Sequence, residues 1–285
     1  MYLGAHVSAA GNVGLAPARA AAWGCEVMQI FSRPPQGGPA PKITTELAAS
    51  FRKAMKENNI RAAYIHSPYF INFASPLPRI ANGSSAIIRE ELERASLLGC
   101  VGVVTHLGSA KAVGEAAGVA MTIAGIKKLL TGYTGTAQLL LELSAGSGAT
   151  IGDTFEELRD IIHAVEAAHP TLRLGVCLDT QHAFASGYDV RTTAGITKTL
   201  RLCAATIGKG RIKLLHLNDS KTDFASHVDR HENIGQGKLG RLAFAALLKT
   251  PSLRTIPGVL ETPRDEKGTE VIRELKLLKK MRDSA

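Results

Sequence analysis

Short apolar runs alternate with longer amphipathic stretches along the whole chain, and this alternation constrains the fold more than any other feature. Strands that are separated by helices run parallel, and near-continuous apolar strands are covered on both faces of their sheet. Eight such strand–helix units fit an α/β fold, a single-domain (β/α)₈ TIM barrel over residues 1–285. A doubly wound open sheet is the rival architecture. The predicted strands are Tyr2–Val7, Val27–Phe31, Ala62–His66, Gly102–His106, Gln138–Leu143, Leu174–Asp179, Ile212–Leu217 and Pro257–Glu261, and the predicted helices are Leu15–Trp23, Thr44–Asn58, Ser84–Leu98, Gly118–Leu130, Thr154–His169, Ala194–Ile207, Arg241–Leu248 and Glu270–Met281.

Polar residues at the carboxyl ends of the predicted strands distinguish between these two architectures. In a closed barrel all the carboxyl ends meet on one face, where the active sites of this fold lie. In an open sheet the same residues would be spread along an edge and would not converge. The pattern therefore favours the barrel, with a site at its C-terminal mouth. Every predicted strand except the second ends at or near such a residue: His6, His66, His106, Glu142, Asp179, His216 and Glu261.

Two further clusters add side chains that can bind metal. His182 follows Asp179 by three residues in a predicted loop, and Asp229 and His231 lie two apart in a segment that we expect to be extended, so that both point the same way. Buried carboxylates require partners, and a ring of imidazoles and carboxylates is typical of a Zn²⁺ or Mn²⁺ site. One ion would leave many of these side chains unpaired, so the sequence indicates several ions. Two or three adjacent divalent ions are suited to in-line attack on a phosphodiester.

Composition narrows the class of protein and its partners. The four cysteines are far apart and form no Cys-x-x-Cys pair, which predicts reduced core thiols and no thiolate metal site. The formal net charge of +9 favours a polyanionic partner, nucleic acid first, although many basic enzymes bind none. No apolar run approaches the roughly 20 residues of a membrane helix, and the N-terminus has no signal-peptide pattern. We therefore expect a cytoplasmic protein without a membrane partner.

Four segments of the sequence resemble signatures of endonuclease IV, the family 2 apurinic/apyrimidinic endonucleases. The two longest are GVCLDTQHAFASGYD at 175–189 and HLNDSK at 216–221, which continues to VDRHENIGQG at 228–237; LGAHVSAAG at 3–11 and HSPYFIN at 66–72 match as well. The resemblance covers essentially the whole chain. It implies a zinc-dependent barrel that cuts double-stranded DNA 5′ to an abasic site, leaving a 3′-hydroxyl and a 5′ deoxyribose phosphate. It also implies a monomer with no obligate protein partner.

The same resemblance implies three Zn²⁺ ions per chain, with Mn²⁺ possible at one site. Glu142 would bridge the first two ions, and Glu142 and Glu261 are the expected catalytic residues. His6 matches the family but is expected to be structural or to lie behind the ligands. The ligands implied are His66, His106 and Glu142 for the first ion, Glu142, Asp179, His216 and Glu261 for the second, and His182, Asp229 and His231 for the third.

The loop after the second predicted strand departs from the family pattern. The family usually carries an arginine and an aromatic residue there that enter the duplex, whereas this chain has SRPPQGGPAPK at 32–42, with Gln36 in place of the arginine. Arg33 or Lys42 is a candidate substitute. An apolar wedge stabilises bent or flipped DNA, and the aromatic pair after the third strand is available for that role. The predicted DNA contacts are Tyr69, Phe70, Arg33, Gln36, Lys221 and Arg230.

Two other functions remain open from the sequence. Metal-dependent sugar isomerases and epimerases place the same residue types at strand ends of the same barrel, and fold alone does not separate them from a nuclease. A neutral sugar gives no reason for the Asp229–His231 pair or for the net charge of +9. A damage-binding protein with a decayed site is disfavoured because all nine candidate ligands are present.

Overall fold

The computed structural model describes residues 1–284, and eight of its strands close into a parallel barrel. Around the barrel the strands follow the order β1-β10-β7-β6-β5-β4-β3-β2, and each neighbouring pair is parallel. The predicted TIM barrel is therefore confirmed, and the open sheet is excluded. The strands are β1 (Leu3–His6), β2 (Val27–Ile30), β3 (Ala63–His66), β4 (Gly102–Thr105), β5 (Gln138–Glu142), β6 (Gly175–Asp179), β7 (Ile212–His216), β8 (Asp219–Ser220), β9 (His231–Glu232) and β10 (Gly258–Leu260).

Helices follow the barrel strands in the predicted alternation, with three differences from the sequence prediction. Helix α3 begins at Pro78, six residues before the predicted start, because a proline is well tolerated in the first turn of a helix. A short helix, α6, occupies a predicted loop, and β8 and β9 form a small antiparallel pair outside the barrel. The helices are α1 (Ala16–Ala22), α2 (Thr45–Glu57), α3 (Pro78–Leu98), α4 (Glu115–Leu130), α5 (Phe155–Ala168), α6 (Thr180–Ala185), α7 (Thr193–Thr206), α8 (Gly240–Lys249) and α9 (Thr269–Asp283). Over residues 1–284, no helix combines the length and apolar character needed to span a bilayer.

Side chains alternate along each barrel strand between the interior of the barrel and the surrounding helices. A large buried cluster fills the space between strands and helices. A separate cluster takes one residue from each of seven strands and fills the barrel interior. Because the alternation has a period of two, the residue two positions further along each strand also points inward, at the carboxyl end. The interior cluster consists of Val27, Tyr64, Val104, Leu140, Cys177, Leu214 and Val259.

The predicted core location of the four cysteines is confirmed. All four cysteines are buried and free. Burial raises the pKa of the Cys177 thiol to about 12, so this side chain is protonated at neutral pH. It belongs to the apolar floor beneath the mouth of the barrel rather than to a metal site.

Candidate metal centre

The polar residues at the strand ends converge at the carboxyl mouth of the barrel, as the sequence pattern predicts. Strands β1, β3, β5, β6 and β7 end on them, and β4 and β10 end one residue before theirs. All of them except His6 lie two positions beyond an apolar residue of the interior cluster, so the apolar layer supports the polar one. Three groups offer ligand atoms that all lie within 4.8 Å of one another: His66, His106 and Glu142; Glu142, Asp179, His216 and Glu261; and Asp179, His182 and His231.

The Glu142 carboxylate belongs to two of these groups. Its Oε2 atom lies 3.1 Å from His66 Nε2 and 3.5 Å from His106 Nε2. Its Oε1 atom lies 2.9 Å from His216 Nδ1. The side chain is fully buried, and its two oxygens face different histidines of the centre. This is the geometry of a carboxylate that can bridge two neighbouring cations.

Carboxylates surround His216 Nδ1 on three sides. Besides Glu142, the atom lies 3.1 Å from Glu261 Oε2 and 3.8 Å from Asp179 Oδ2. Asp179 and His216 are paired residues of neighbouring strands, so the barrel register itself places them side by side. Four side chains from β5, β6, β7 and the end of β10 thus face one point.

The third group forms where α6 and β9 meet the mouth of the barrel. His182 Nε2 lies 3.4 Å from Asp229 Oδ2, His231 Nε2 lies 3.4 Å from Asp229 Oδ1, and the two ring nitrogens are 3.5 Å apart. Asp179 Oδ2 is 3.8 Å from His231 Nε2, so two carboxylates border this pair of imidazoles. Asp229 is the more exposed of the two and stands on the solvent side.

Helix α6 explains how His182 reaches this position. The Asp179 side chain accepts hydrogen bonds from the backbone amides of Gln181, at 2.7 Å, and His182, at 3.0 Å, and thereby caps the helix. His182 was expected in a loop, but it lies in the first turn of this helix. The cap fixes the position of His182 relative to Asp179. The Asp179 carboxylate therefore both caps the helix and belongs to the group of candidate ligands.

The ring nitrogens that face away from the clusters show which atoms are free to bind metal. The Nδ1 atoms of His66, His182 and His231 lie 2.7, 2.9 and 3.2 Å from the backbone oxygens of Ser67, Leu143 and Glu261, respectively. A carbonyl only accepts, so each Nδ1 carries a proton, and each ring directs its Nε2 inward, where this nitrogen can hold either a proton or a cation. A deprotonated Nε2 that faces a carboxylate oxygen is repelled by it unless a cation lies between the two atoms. The donor set therefore fits a divalent metal, with outer partners that orient the rings.

The pKa values of the carboxylates in these clusters also favour the binding of cations. Burial acts to raise the pKa of Glu142, but the adjacent His106 and His216 hold it well below its usual value. Burial also opposes ionisation of Asp229, yet the adjacent His182 lowers its pKa to about 2. For His182, burial is outweighed by Asp179 and Asp229, which raise the pKa to about 10. The carboxylates therefore stay ionised at neutral pH and attract cationic charge.

Sequence reasoning missed Gln29, which contacts several side chains of this site. Gln29 on β2 is fully buried, and its amide lies within hydrogen-bond distance of His6, His216 and Glu261. It supplies the inward polar position of the one strand that seemed to lack one. The available signal was a single polar residue in an apolar run, two positions after the interior residue Val27.

His6 lies behind the candidate ligands and contacts one of them, Glu261. Its Nδ1 atom is 3.3 Å from Glu261 Oε1, and its ring packs 4.3 Å from the Phe31 ring. Burial lowers the pKa of His6 to about 4, so the ring is neutral at physiological pH. The Nε2 atom is buried and has no hydrogen-bond partner within the described protein. The residue borders a cavity of about 290 Å³ that lies over the clusters.

Of the two residues of the predicted aromatic wedge, Tyr69 lines this cavity, and both Tyr69 and Phe70 line a neighbouring one. Tyr69 is 64% exposed and Phe70 is 43% exposed, so both rings are accessible to a partner. The Tyr69 ring lies 5.2 Å from the Phe31 ring in an edge-to-face arrangement, which holds it beside the cavity. Gln36, Lys221 and Arg230 lie on loops that follow β2, follow β8 and precede β9, respectively, and none of the three is buried.

Arg33 has a different position from the other predicted DNA contacts. It is only 8% exposed, and its guanidinium lies 2.5 Å from Glu91 and 2.6 Å from Glu90 on α3. On the same face of α3, Arg94 donates hydrogen bonds to Ser32 and to the Pro41 carbonyl. The side chain of Arg33 is thus committed to holding the 32–42 loop against α3, which argues against the predicted contact with DNA.

Comparisons with known proteins match both the fold and the length of this chain. A family model described as a xylose isomerase-like TIM barrel matches residues 17–281. A Methanoculleus marisnigri protein named probable endonuclease 4 is 39% identical over 271 residues, which is 95% of each chain. The crystal structure of endonuclease IV from Thermus thermophilus superposes with a TM-score of 0.87, at 31% identity and over 100% of both chains. A D-psicose 3-epimerase from Clostridium cellulolyticum superposes with a TM-score of 0.66 over 100% of this chain and 96% of that one, at 14% identity, which shows a shared fold alone.

Proposed function

The chain belongs to the endonuclease IV family, and we propose that it is a metal-dependent endonuclease of DNA repair that acts at abasic sites. It would hydrolyse the phosphodiester on the 5′ side of the lesion in double-stranded DNA, leaving a 3′-hydroxyl and a 5′ deoxyribose phosphate. The observation that carries this proposal is the third cluster, in which His182, Asp229 and His231 adjoin the two clusters that share Glu142. Several adjacent cations match the charge of a phosphodiester better than that of a neutral sugar.

We propose zinc for the three clusters, with manganese as the alternative at one of them. Imidazole and carboxylate ligands without thiolates suit both metals. His66, His106 and Glu142 would hold the first ion, and His182, Asp229 and His231 the third. The second would lie among Glu142, Asp179, His216 and Glu261. Such ions supply Lewis acidity and lower the pKa of bound water, so no side-chain nucleophile is required.

The chain's own residues have separate tasks in this reaction. Glu142 and Glu261 are the proposed catalytic residues, because their anionic oxygens fix the positions of the clusters against which the phosphate would bind. The exposed rings of Tyr69 and Phe70 would occupy the space that the missing base leaves in the duplex. His6 can donate a hydrogen bond from Nε2 into the same cavity. Lys221, Arg230 and Gln36 are the proposed contacts to the DNA backbone.

The decisive experiment is incision of a duplex oligonucleotide that carries one abasic site, before and after prolonged chelation. We expect a single cut on the 5′ side of the lesion, loss of that cut on chelation, and recovery when Zn²⁺ is restored. The same duplex with an intact base at that position is the control. No cut by protein that carries two or more equivalents of metal would contradict the proposal and favour the sugar isomerase or epimerase.

The aromatic wedge gives a second prediction. Replacing Tyr69 by alanine should raise KM for the abasic duplex by about tenfold or more, since one base–aromatic stack is worth about 1–3 kcal/mol. The value of kcat and the metal content should stay close to those of the unchanged protein, because Tyr69 belongs to none of the three ligand groups. The matched control is Tyr2→Ala, which removes a ring that is 50% exposed at the amino end of β1, away from the mouth. An unchanged KM in the Tyr69 variant would remove this residue from the proposed interface.

A further inference from the structure

One amide group joins three side chains of the metal centre across the mouth of the barrel. Gln29 Oε1 lies 2.9 Å from His216 Nε2, and Gln29 Nε2 lies 2.6 Å from Glu261 Oε1 and 3.1 Å from His6 Nδ1. Both Gln29 and His216 are fully buried, so no solvent competes for these bonds. The strand register also brings these side chains together, because His6 on β1 is paired directly with Gln29 on β2.

The orientation of this amide follows from its partners. If the amide were turned over, its oxygen would stand 2.6 Å from a carboxylate oxygen of Glu261, and two acceptors would repel each other at that distance. The nitrogen must therefore face Glu261, which leaves the oxygen to face His216. An amide oxygen only accepts, so His216 Nε2 carries a proton and donates it to Gln29.

We propose that Gln29 is a positioning residue for metal binding, which holds His216 in the form protonated at Nε2 and aims its bare Nδ1 at the point between Glu142, Asp179 and Glu261. The same amide donates to Glu261 and fixes the angle of that carboxylate. Gln29 thus connects an imidazole to a carboxylate of the same cluster and touches neither substrate nor metal. This inference rests on the proposed function, because the two side chains that Gln29 orients, His216 and Glu261, belong to the proposed metal centre.

Gln29 orients its histidine with a side chain, whereas three other histidines of the centre are oriented by backbone carbonyls. His66, His182 and His231 are oriented by backbone carbonyls, which a substitution at the partner residue does not remove. His216 has a side chain in this role, so the tautomer and the orientation of one ring depend on the identity of a single residue. Replacement of such an outer partner typically costs about 10–100-fold in metal affinity or activity.

The test compares Gln29→Met, which keeps the length of the side chain but removes both its donor and its acceptor, with the unchanged protein. Zinc affinity is measured by competition with a chromophoric chelator, and zinc content is measured after dialysis. We expect the affinity for the ion that His216 and Glu261 would hold to fall by about 10–100-fold. The matched control is Gln138→Met, which removes an amide from β5 at the opposite end of the barrel and should leave the affinity unchanged.

A second measurement needs no variant and remains informative if the Gln29→Met chain does not fold. In the zinc-loaded, ¹⁵N-labelled protein, the His216 Nε2 proton should be visible by NMR and should exchange slowly with solvent. A rapidly exchanging proton, or an affinity in folded Gln29→Met equal to that of the unchanged protein, would overturn the inference. Failure of the proposed function would look different, because the unchanged protein would then bind no zinc or would bind it without cutting abasic DNA.

Discussion

Replacing Glu261 by glutamine is expected to lower the rate of abasic-site incision by about 10³-fold or more while leaving the fold intact. The substitution keeps the volume of the side chain but removes the negative charge that lies 3.1 Å from His216 Nδ1. Charge stabilisation by metal ions is worth several kcal/mol in the transition state, and each ~1.4 kcal/mol is tenfold in rate. Single-turnover incision of an abasic duplex, with zinc content measured on the same sample, gives the result.

The control for this prediction is Glu266→Gln, which removes the same charge from an exposed residue a few positions further along the chain. Its incision rate should stay within about twofold of the unchanged protein, because an exposed charge away from the clusters is strongly screened. Near-normal incision by Glu261→Gln, with its zinc content unchanged, would refute the assignment of Glu261 to the metal centre.

Replacing Glu91 by alanine is expected to destabilise the protein by about 3–5 kcal/mol, the usual cost of leaving a buried ion partner unpaired. Glu91 is completely buried on α3 and binds both Ser32 and Arg33, with Arg94 close by. Without it, the buried guanidinium groups lose their innermost counter-charge. Urea unfolding followed by circular dichroism measures the change in the free energy of unfolding.

The same helix offers a matched control for that experiment. Glu93 pairs with Arg89 at 2.6 Å, but its side chain is 57% exposed, so Glu93→Ala should cost less than about 1 kcal/mol. If the two variants are equally stable, the buried network does not hold the loop. If Glu91→Ala is selectively unstable, its KM for abasic DNA should also rise, because Arg33 and Arg94 hold the loop that follows β2.

The repeating part of this structure could be predicted from the sequence, because it depends on patterns with a fixed period. Apolar runs of strand length located all eight barrel strands, and the polar residues at their ends located most of the centre. The convergence of His66 and Glu142, for example, follows from topology alone, since parallel strands of a closed barrel end on the same face. No side-chain detail was needed for that inference.

The parts that escaped prediction depend on contacts between segments that are distant in sequence. Gln29 looked like an isolated polar residue because its partners, His216 and Glu261, lie on strands near the other end of the chain. Arg33 looked like a free cation in a loop, because nothing local to it shows that Glu91 will pack beneath it. Helix α6 is only six residues long, which is too short to show a helical period in the sequence. The sequence indicates Asp179 as a strand end and a candidate ligand, but not as the residue that caps this helix.

The pairing of β1 with β10 has a consequence for the timing of activity during synthesis. The contact from Gln29 to Glu261 spans 232 residues and that from His6 to Glu261 spans 255, and contacts of such long range form late because they require closure of a very large loop. A chain whose synthesis has not yet reached Glu261 has its N-terminal strands but not the last carboxylate of the centre. Each molecule would therefore acquire its complete metal centre only after β10 has been synthesised and has closed the barrel against β1.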